Sequence, residues 1–193
     1  KRDELRKGQS PAGNLLADAL LWCANADIGL ACAGHMGDCS LGPGEVCHGD
    51  VLKLAPFEAA IFSLRIPGTV LLQALAFSGR AIKAPETEGF VFDALTPDSF
   101  LQVSGLRLIY SSEGTLLRAM TAGNGASSEI KPTADYHVAV PWDMVYGGLG
   151  YSMLKGAQGG NIRRHDAGVL AAYLATNPDY EKMCAVRVEF TAL

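Results

Sequence analysis

The sequence predicts an α/β domain of the α+β kind, built on a mixed sheet rather than a doubly wound parallel one. Three observations lead there. Apolar residues recur at helical spacing in separate segments, and short runs of branched and aromatic residues between Pro and Gly read as strands. The strands in the middle of the chain also succeed one another without intervening helices, as hairpins do, whereas a parallel sheet needs a helical crossover at each step.

Ser10-Pro11 is a helix start: the Ser hydroxyl can cap, and Pro tolerates the first helical position because its missing N–H would go unpaired there anyway. Leu15, Leu16, Ala19, Leu20 and Cys23 then place a helix up to about Ala24. Ile28–Cys32 reads as a buried strand, and Gly34, Gly37, Gly42, Pro43 and Gly44 mark an irregular loop. A short helix over Gly49–Leu54 ends before Pro56. Ala60–Ile66 is a strand stopped by Pro67-Gly68, and Val70, Leu71, Ala74, Leu75 and Phe77 line a second amphipathic helix. Ala84–Ser99, rich in Pro, Glu, Thr and Asp, reads as a long surface loop.

Strands come next at Leu101–Val103, Leu106–Tyr110 and Leu117–Thr121, with turns at Ser104-Gly105 and Glu113-Gly114, and then a flexible loop at Gly123–Ser128. Tyr136–Val140 is a strand ending at Pro141, and Gly147–Gly150 is a glycine-rich turn. A helix at Ala167–Thr176 and a strand at Ala185–Phe190 close the chain.

Composition narrows the function classes. At 193 residues the chain can bury roughly 70% of its unfolded surface and needs no disulfide or metal to hold it. Hydrophobic residues at 49% exclude a disordered chain, and a net charge of −4 offers no basic field for nucleic-acid phosphates. The longest apolar stretches, such as Leu15–Cys23, are broken by Asp18 and fall short of a membrane span. The start at Lys1-Arg2, without Met, reads as a piece of a longer protein.

Five cysteines form no C-x-x-C. His35, Cys39, Cys47 and His48 have the right types for zinc, but their spacing matches no common zinc signature. Cys47 is expected to pack, His48 to lie near a helix start, and Cys23 and Cys32 to behave as small hydrophobes.

The blocks Ala12-Gly13-Asn14-Leu15-Leu16-Ala17-Asp18-Ala19, Ala26-Asp27-Ile28, Gly49-Asp50-Val51 with Pro56-Phe57, Phe100–Leu106 and Gly147-Gly148-Leu149-Gly150-Tyr151 occur in an order and spacing that resemble the C-terminal domain of 5′-nucleotidases. The family includes ecto-5′-nucleotidases and bacterial UDP-sugar hydrolases. The resemblance spans nearly the whole chain. It implies a four-layer α/β/β/α architecture and a single domain over residues 1–193. It also implies a separate N-terminal metallophosphoesterase domain holding two divalent metal ions, and a secreted, cell-surface or periplasmic parent protein. No cofactor is expected in this domain itself. The Asp-x-His and Gly-Asn-His-Asp series of that catalytic domain is absent from this sequence, so the chain alone is expected to hydrolyse no phosphate ester. Asn14, in Gly-Asn-Leu, is expected to be structural.

In the family a base lies between two aromatic rings. Phe57 matches the first, while the second falls at Asp143, with Trp142 and Tyr146 close by. The family's Asn-Gly-Gly-Gly-Ile-Arg stands here as Cys32-Ala33-Gly34-His35-Met36-Gly37, its ribose-binding Asp as Leu149, and a further Arg as Gly8. Among the ligand-contacting positions that can be placed, only Phe57 keeps its residue type. Phe57, Gly34, His35, Trp142, Asp143, Tyr146, Gly147 and Gly148 are therefore the candidate substrate-binding residues. A nucleotide or nucleoside held weakly is the ligand the resemblance implies, and the N-terminal domain is the implied partner. Two functional readings stay open: a recognition domain of altered specificity, or a degenerate domain kept for packing or interaction.

Overall fold

In chain order the elements are α1 (Arg2–Lys7), α2 (Pro11–Ala24), β1 (Ile28–Cys32), α3 (His48–Leu54), β2 (Ala60–Pro67), α4 (Gly68–Arg80), β3 (Leu101–Ser104), β4 (Leu106–Ser111), β5 (Leu116–Thr121), β6 (Asp135–Pro141), α5 (Trp142–Val145), β7 (Gln158–His165), α6 (Asp166–Thr176) and β8 (Val188–Thr191). The computed structural model describes residues 2–37, 45–87, 91–122, 127–177 and 185–192. Cys39, Cys184, the Gly42-Pro43-Gly44 run and most of the loop expected at Gly123–Ser128 lie outside the described residues.

The mixed α/β class is what the structure shows. Among the described residues, five strands form one sheet in the order β3-β1-β6-β2-β7, and three form a second in the order β5-β4-β8. β1 runs parallel to β6 and antiparallel to β3. β2 runs antiparallel to both β6 and β7. The registers Cys32↔Leu101, Ile61↔Pro141 and Ala60↔His165 therefore bring the ends of β1, β6 and β7 and the starts of β2 and β3 to one rim of the large sheet. That rim carries the site.

Two cores lie on either face of the large sheet. On one, Leu15, Leu16 and Leu20 of α2, Leu54 of α3 and Leu170 of α6 pack on Ala31, Ile61 and Ala139. On the other, Leu71 and Leu75 of α4 share a core with Leu30, Leu64 and Val138 of the large sheet and with Leu108, Tyr110 and Val188 of the small one. β1 is buried along its whole length and divides its faces by size. Ile28 and Leu30 fill the second core, while Gly29 and Ala31 face α2, where a Cβ on Gly29 would lie 2.1 Å from the Ala17 carbonyl oxygen. The short side chains let the helix backbone seat directly on the strand.

The helix start at Ser10 is as expected: its Oγ accepts the Gly13 N–H at 2.9 Å and Pro11 occupies the first helical position. Other expectations are corrected. β3 and β4 do not pair as a hairpin but belong to different sheets. Gly105 between them takes φ +76, where a Cβ would lie 2.1 Å from the Asp27 carbonyl oxygen, and the chain crosses there from one sheet to the other. Thr96, Pro97 and Ser99 are buried rather than part of a surface loop, held by a 3₁₀ turn at Pro97–Ser99. Cys47 is exposed, its backbone N–H and thiol both reaching the Asp50 carboxylate at the start of α3. α1, α5 and β7 are additions to the expected elements. β7 is an exposed edge strand, so no apolar alternation marks Gln158–His165.

The C-terminal strand is fastened by a largely buried ion pair. The Arg187 guanidinium grips Asp18 of α2 through two bonds of 2.8 Å and also donates to the Val103 carbonyl at 2.9 Å, while Ser104 Oγ donates to the same carboxylate. Removing one partner of such a pair strands the other in a poorly solvated place. Asp18→Ala is expected to cost about 3 kcal/mol in urea melts, and Arg187→Met on that background to recover part of it. A loss below about 1 kcal/mol would show that the pair is solvated and dispensable.

Candidate functional site

A cleft of about 360 Å³ opens on the rim, lined by Gly34 and His35 after β1, Phe57 and Ala59 before β2, Phe92 before β3, and Trp142 and Asp143 after β6. Each residue is where the strand directions deliver it. Pro56 comes after α3, and Glu58 takes the left-handed φ of +47, so the chain turns sharply around Phe57 and leaves its ring 61% exposed. Pro141 ends β6 and caps α5. Trp142 is 43% exposed there, whereas Asp143 beside it is buried.

The floor of the cleft is one hydrogen bond. His35 Nε2 stands 2.7 Å from Asp143 Oδ1, with both side chains buried. The other ring nitrogen, Nδ1, accepts the backbone N–H of Cys32 at 3.1 Å. An accepting Nδ1 carries no hydrogen, so the ring hydrogen is assigned to Nε2 and points at the carboxylate. Gly148 backs the same carboxylate, since a Cβ there would lie 2.9 Å from Asp143 Oδ2.

Leu149 is buried at φ +52, a strained conformation for a branched side chain, with its methyl groups packed against Gly34. Its carbonyl accepts from Ser99 Oγ at 2.9 Å, and Ser99's own carbonyl accepts the buried Tyr151 hydroxyl. Below them, burial and then the neighbouring Asp143 push the Cys32 thiol well up, which keeps it an inert small hydrophobe as expected. Cys23 is half-buried.

The expected site residues divide into two groups. Gly34, His35, Phe57, Trp142 and Asp143 share the cleft. Tyr146 stands 6.1 Å from the Trp142 ring but lines a neighbouring cavity of about 460 Å³ with Phe62 and Lys155; Gly147 meets the Lys155 side chain, and Gly148 acts from behind Asp143. Among the described residues, no lysine or arginine lines the cleft. Gly37 leaves no room for one, because a Cβ there would lie 1.9 Å from the Lys53 carbonyl oxygen, whereas Gly8 has open space. Arg6 pairs with Asp98 and Glu86. Asn14 is buried in α2, where its amide reaches the Ala185 carbonyl.

Phe92 and Ala59 were missed by sequence reasoning, Phe92 because it lies in the segment read as a surface loop. Among the described residues, no three His, Cys, Asp or Glu side chains gather as a metal-holding group. Of the four His and Cys with zinc-ligand character, His35 is committed to Asp143, Cys47 is exposed, and Cys39 lies outside the described residues.

Asp166 also stands on the rim, where its N–H donates to the Ala59 carbonyl. It is buried, one oxygen accepts the Ala167 N–H at 2.7 Å, and Oδ2 makes no hydrogen bond among the described residues. Burial pushes its carboxyl above the ordinary range, against the pull of the Ala167 N–H. The folded state thus favours the neutral acid. That stabilisation is full below the unfolded value of about 3.9 and is lost as pH rises through the higher folded one. Asp166→Asn is therefore expected to gain stability relative to wild type between pH 4 and pH 7 in thermal melts, and parallel pH curves would contradict this.

The family described as 5′-nucleotidase, C-terminal domain matches residues 1–156. A 5′-nucleotidase-related protein of Glossina morsitans morsitans is 26% identical over an alignment of 175 residues, and the match covers 80% of this chain and 30% of that protein. The fold is shared with a 5′-nucleotidase precursor from Thermus thermophilus, at a TM-score of 0.82 and 24% identity over 98% of this chain and 37% of that one. It is shared too with the NAD nucleotidase of Haemophilus influenzae, at 0.78 and 18% identity over 95% of this chain and 33% of that one. The chain thus spans about a third of the length of these relatives. With its mixed sheets in the arrangement of those structures and its sequence matched over most of its length, the chain belongs to the 5′-nucleotidase C-terminal domain family.

Proposed function

We propose that this domain is the nucleoside-recognition part of a 5′-nucleotidase-family hydrolase, and that phosphoester chemistry belongs to an N-terminal metallophosphoesterase domain of the same protein. The observation that carries the reading is the pair of exposed rings, Phe57 and Trp142, facing one cleft whose floor is polar. A base has two π-faces and edge N–H groups, so it can stack on such rings while donating to Asp143. The volume of about 360 Å³ suits a base and part of a sugar.

The ligand site is substituted relative to the family pattern. The second ring comes from Trp142, next to the position where the family places it, and the His35–Asp143 pair occupies family Gly and aromatic positions. The phosphate-facing arginine has no counterpart at Gly37. Without a cation among the described lining residues, a phosphate gains little, and each missing charge-assisted bond is worth about 1.5–3 kcal/mol. The domain then contributes selection of the nucleoside rather than grip on its phosphate.

Titration of the chain by NMR is expected to show adenosine and AMP binding with nearly equal Kd values, about millimolar. Phe57→Ala and Trp142→Ala should each weaken both, by about 1–3 kcal/mol, which at this affinity abolishes saturable shifts. Micromolar binding of AMP with a clear preference over adenosine would overturn the phosphate-indifferent site. Absence of any saturable shift would overturn nucleoside recognition in favour of a packing or interaction module.

A further inference from the structure

The charge and the surfaces of the cleft are matched to each other. Its aromatic members, Phe57, Phe92 and Trp142, are exposed by 61%, 39% and 43%, and an aromatic face presents the negative lobe of its quadrupole. Among the described residues, the one formally charged lining group is Asp143. His35 does not cancel that charge: its Nδ1 is occupied in accepting the Cys32 N–H, so the ring offers Asp143 a hydrogen bond without a positive charge. The Arg6 guanidinium is spent on Asp98 and Glu86.

Aromatic walls beside a buried carboxylate, with no lysine or arginine among the described lining residues, repel an anion and reward a cation. An aromatic face attracts a desolvated cation, and a carboxylate with little exposure is weakly screened. A neutral base gains stacking and a hydrogen bond to Asp143. A ring bearing positive charge gains stacking, the quadrupole attraction and the carboxylate together.

We propose that the cleft selects a planar ring carrying a positive charge, of the N-alkylated nucleoside class, over its neutral counterpart. This rests on the base-stacking reading above and names the substrate class of that same site. Trp142 supplies the strongest cation-attracting face, Phe57 a second aromatic wall on its exposed turn, and Asp143 the counter-charge, oriented by His35. Phosphate on the sugar would add nothing at this cleft, because nothing cationic lines it among the described residues.

The test titrates this chain with adenosine, with 1-methyladenosine, which is cationic at neutral pH, and with tetramethylammonium, following the backbone amide signals of Gly34 and His35 in the cleft. The cationic nucleoside is expected to bind about tenfold tighter than adenosine. Asp143→Asn keeps an oxygen for the His35 N–H and removes the charge, and should bring that ratio to within about twofold. If that variant fails to fold, Trp142→Leu serves the same purpose by removing the best cation face, and should lower the ratio at least about threefold. Equal binding of the two nucleosides, each lost in Phe57→Ala, would overturn the charge selection while leaving base recognition standing. Saturable binding of tetramethylammonium with neither nucleoside binding would overturn base recognition while upholding the cation-attracting cleft. No binding by any of the three would overturn both.

Discussion

The buried hydrogen bond between His35 and Asp143 ties the turn after β1 to the helix after β6. Those strands are parallel neighbours, so their carboxyl ends are bound to emerge side by side, and the residues just beyond them meet whether or not they are close in sequence. The antiparallel partners of the same strands, β3 and β2, begin at this rim, which is why Phe92 and Phe57 arrive there too, and β7 ends there, which delivers the start of α6. The cleft is thus a property of strand direction. Its chemistry is a property of the pair at its floor, which fixes one imidazole tautomer, places a carboxylate under the rings and pins the two segments that carry it.

The sheet around this bond tolerates little movement. Gly29 lets α2 seat its backbone on β1, and Leu149 is held in a left-handed conformation between Gly34, Ser99 and the buried Tyr151. Such strain persists only where surrounding packing over-determines it, and here it sits directly behind the cleft. Phe57, by contrast, rides on an exposed turn, so the cleft combines a buried floor with an exposed aromatic wall.

Much of this is legible in the sequence. α2 can be read to its ends, because Ser10-Pro11 and the 3.6-residue period are local signals. Phe57, Gly34, His35, Trp142 and Asp143 can be gathered because the ordered blocks of a family place them. The features that escape such a reading do so for physical reasons. The hairpin expected at β3 and β4 fails because the glycine turn at Gly105 looks the same whether it returns a strand or sends it to another sheet. β7 is invisible since an exposed edge strand buries no alternate face. The His35–Asp143 bond spans 108 residues of chain, so only the parallel register of β1 and β6 reveals it.

His35 holds Asp143 as a charged floor through its Nε2–H while Nδ1 is occupied by the Cys32 N–H. Long-range ¹H–¹⁵N NMR of the imidazole measures this directly, because the two ring nitrogens resonate differently when protonated and when bare. A ring with hydrogen on Nε2 alone is expected, unchanged in Phe57→Ala and altered in Asp143→Ala. A ring carrying its hydrogen on Nδ1, or on both nitrogens, would contradict it.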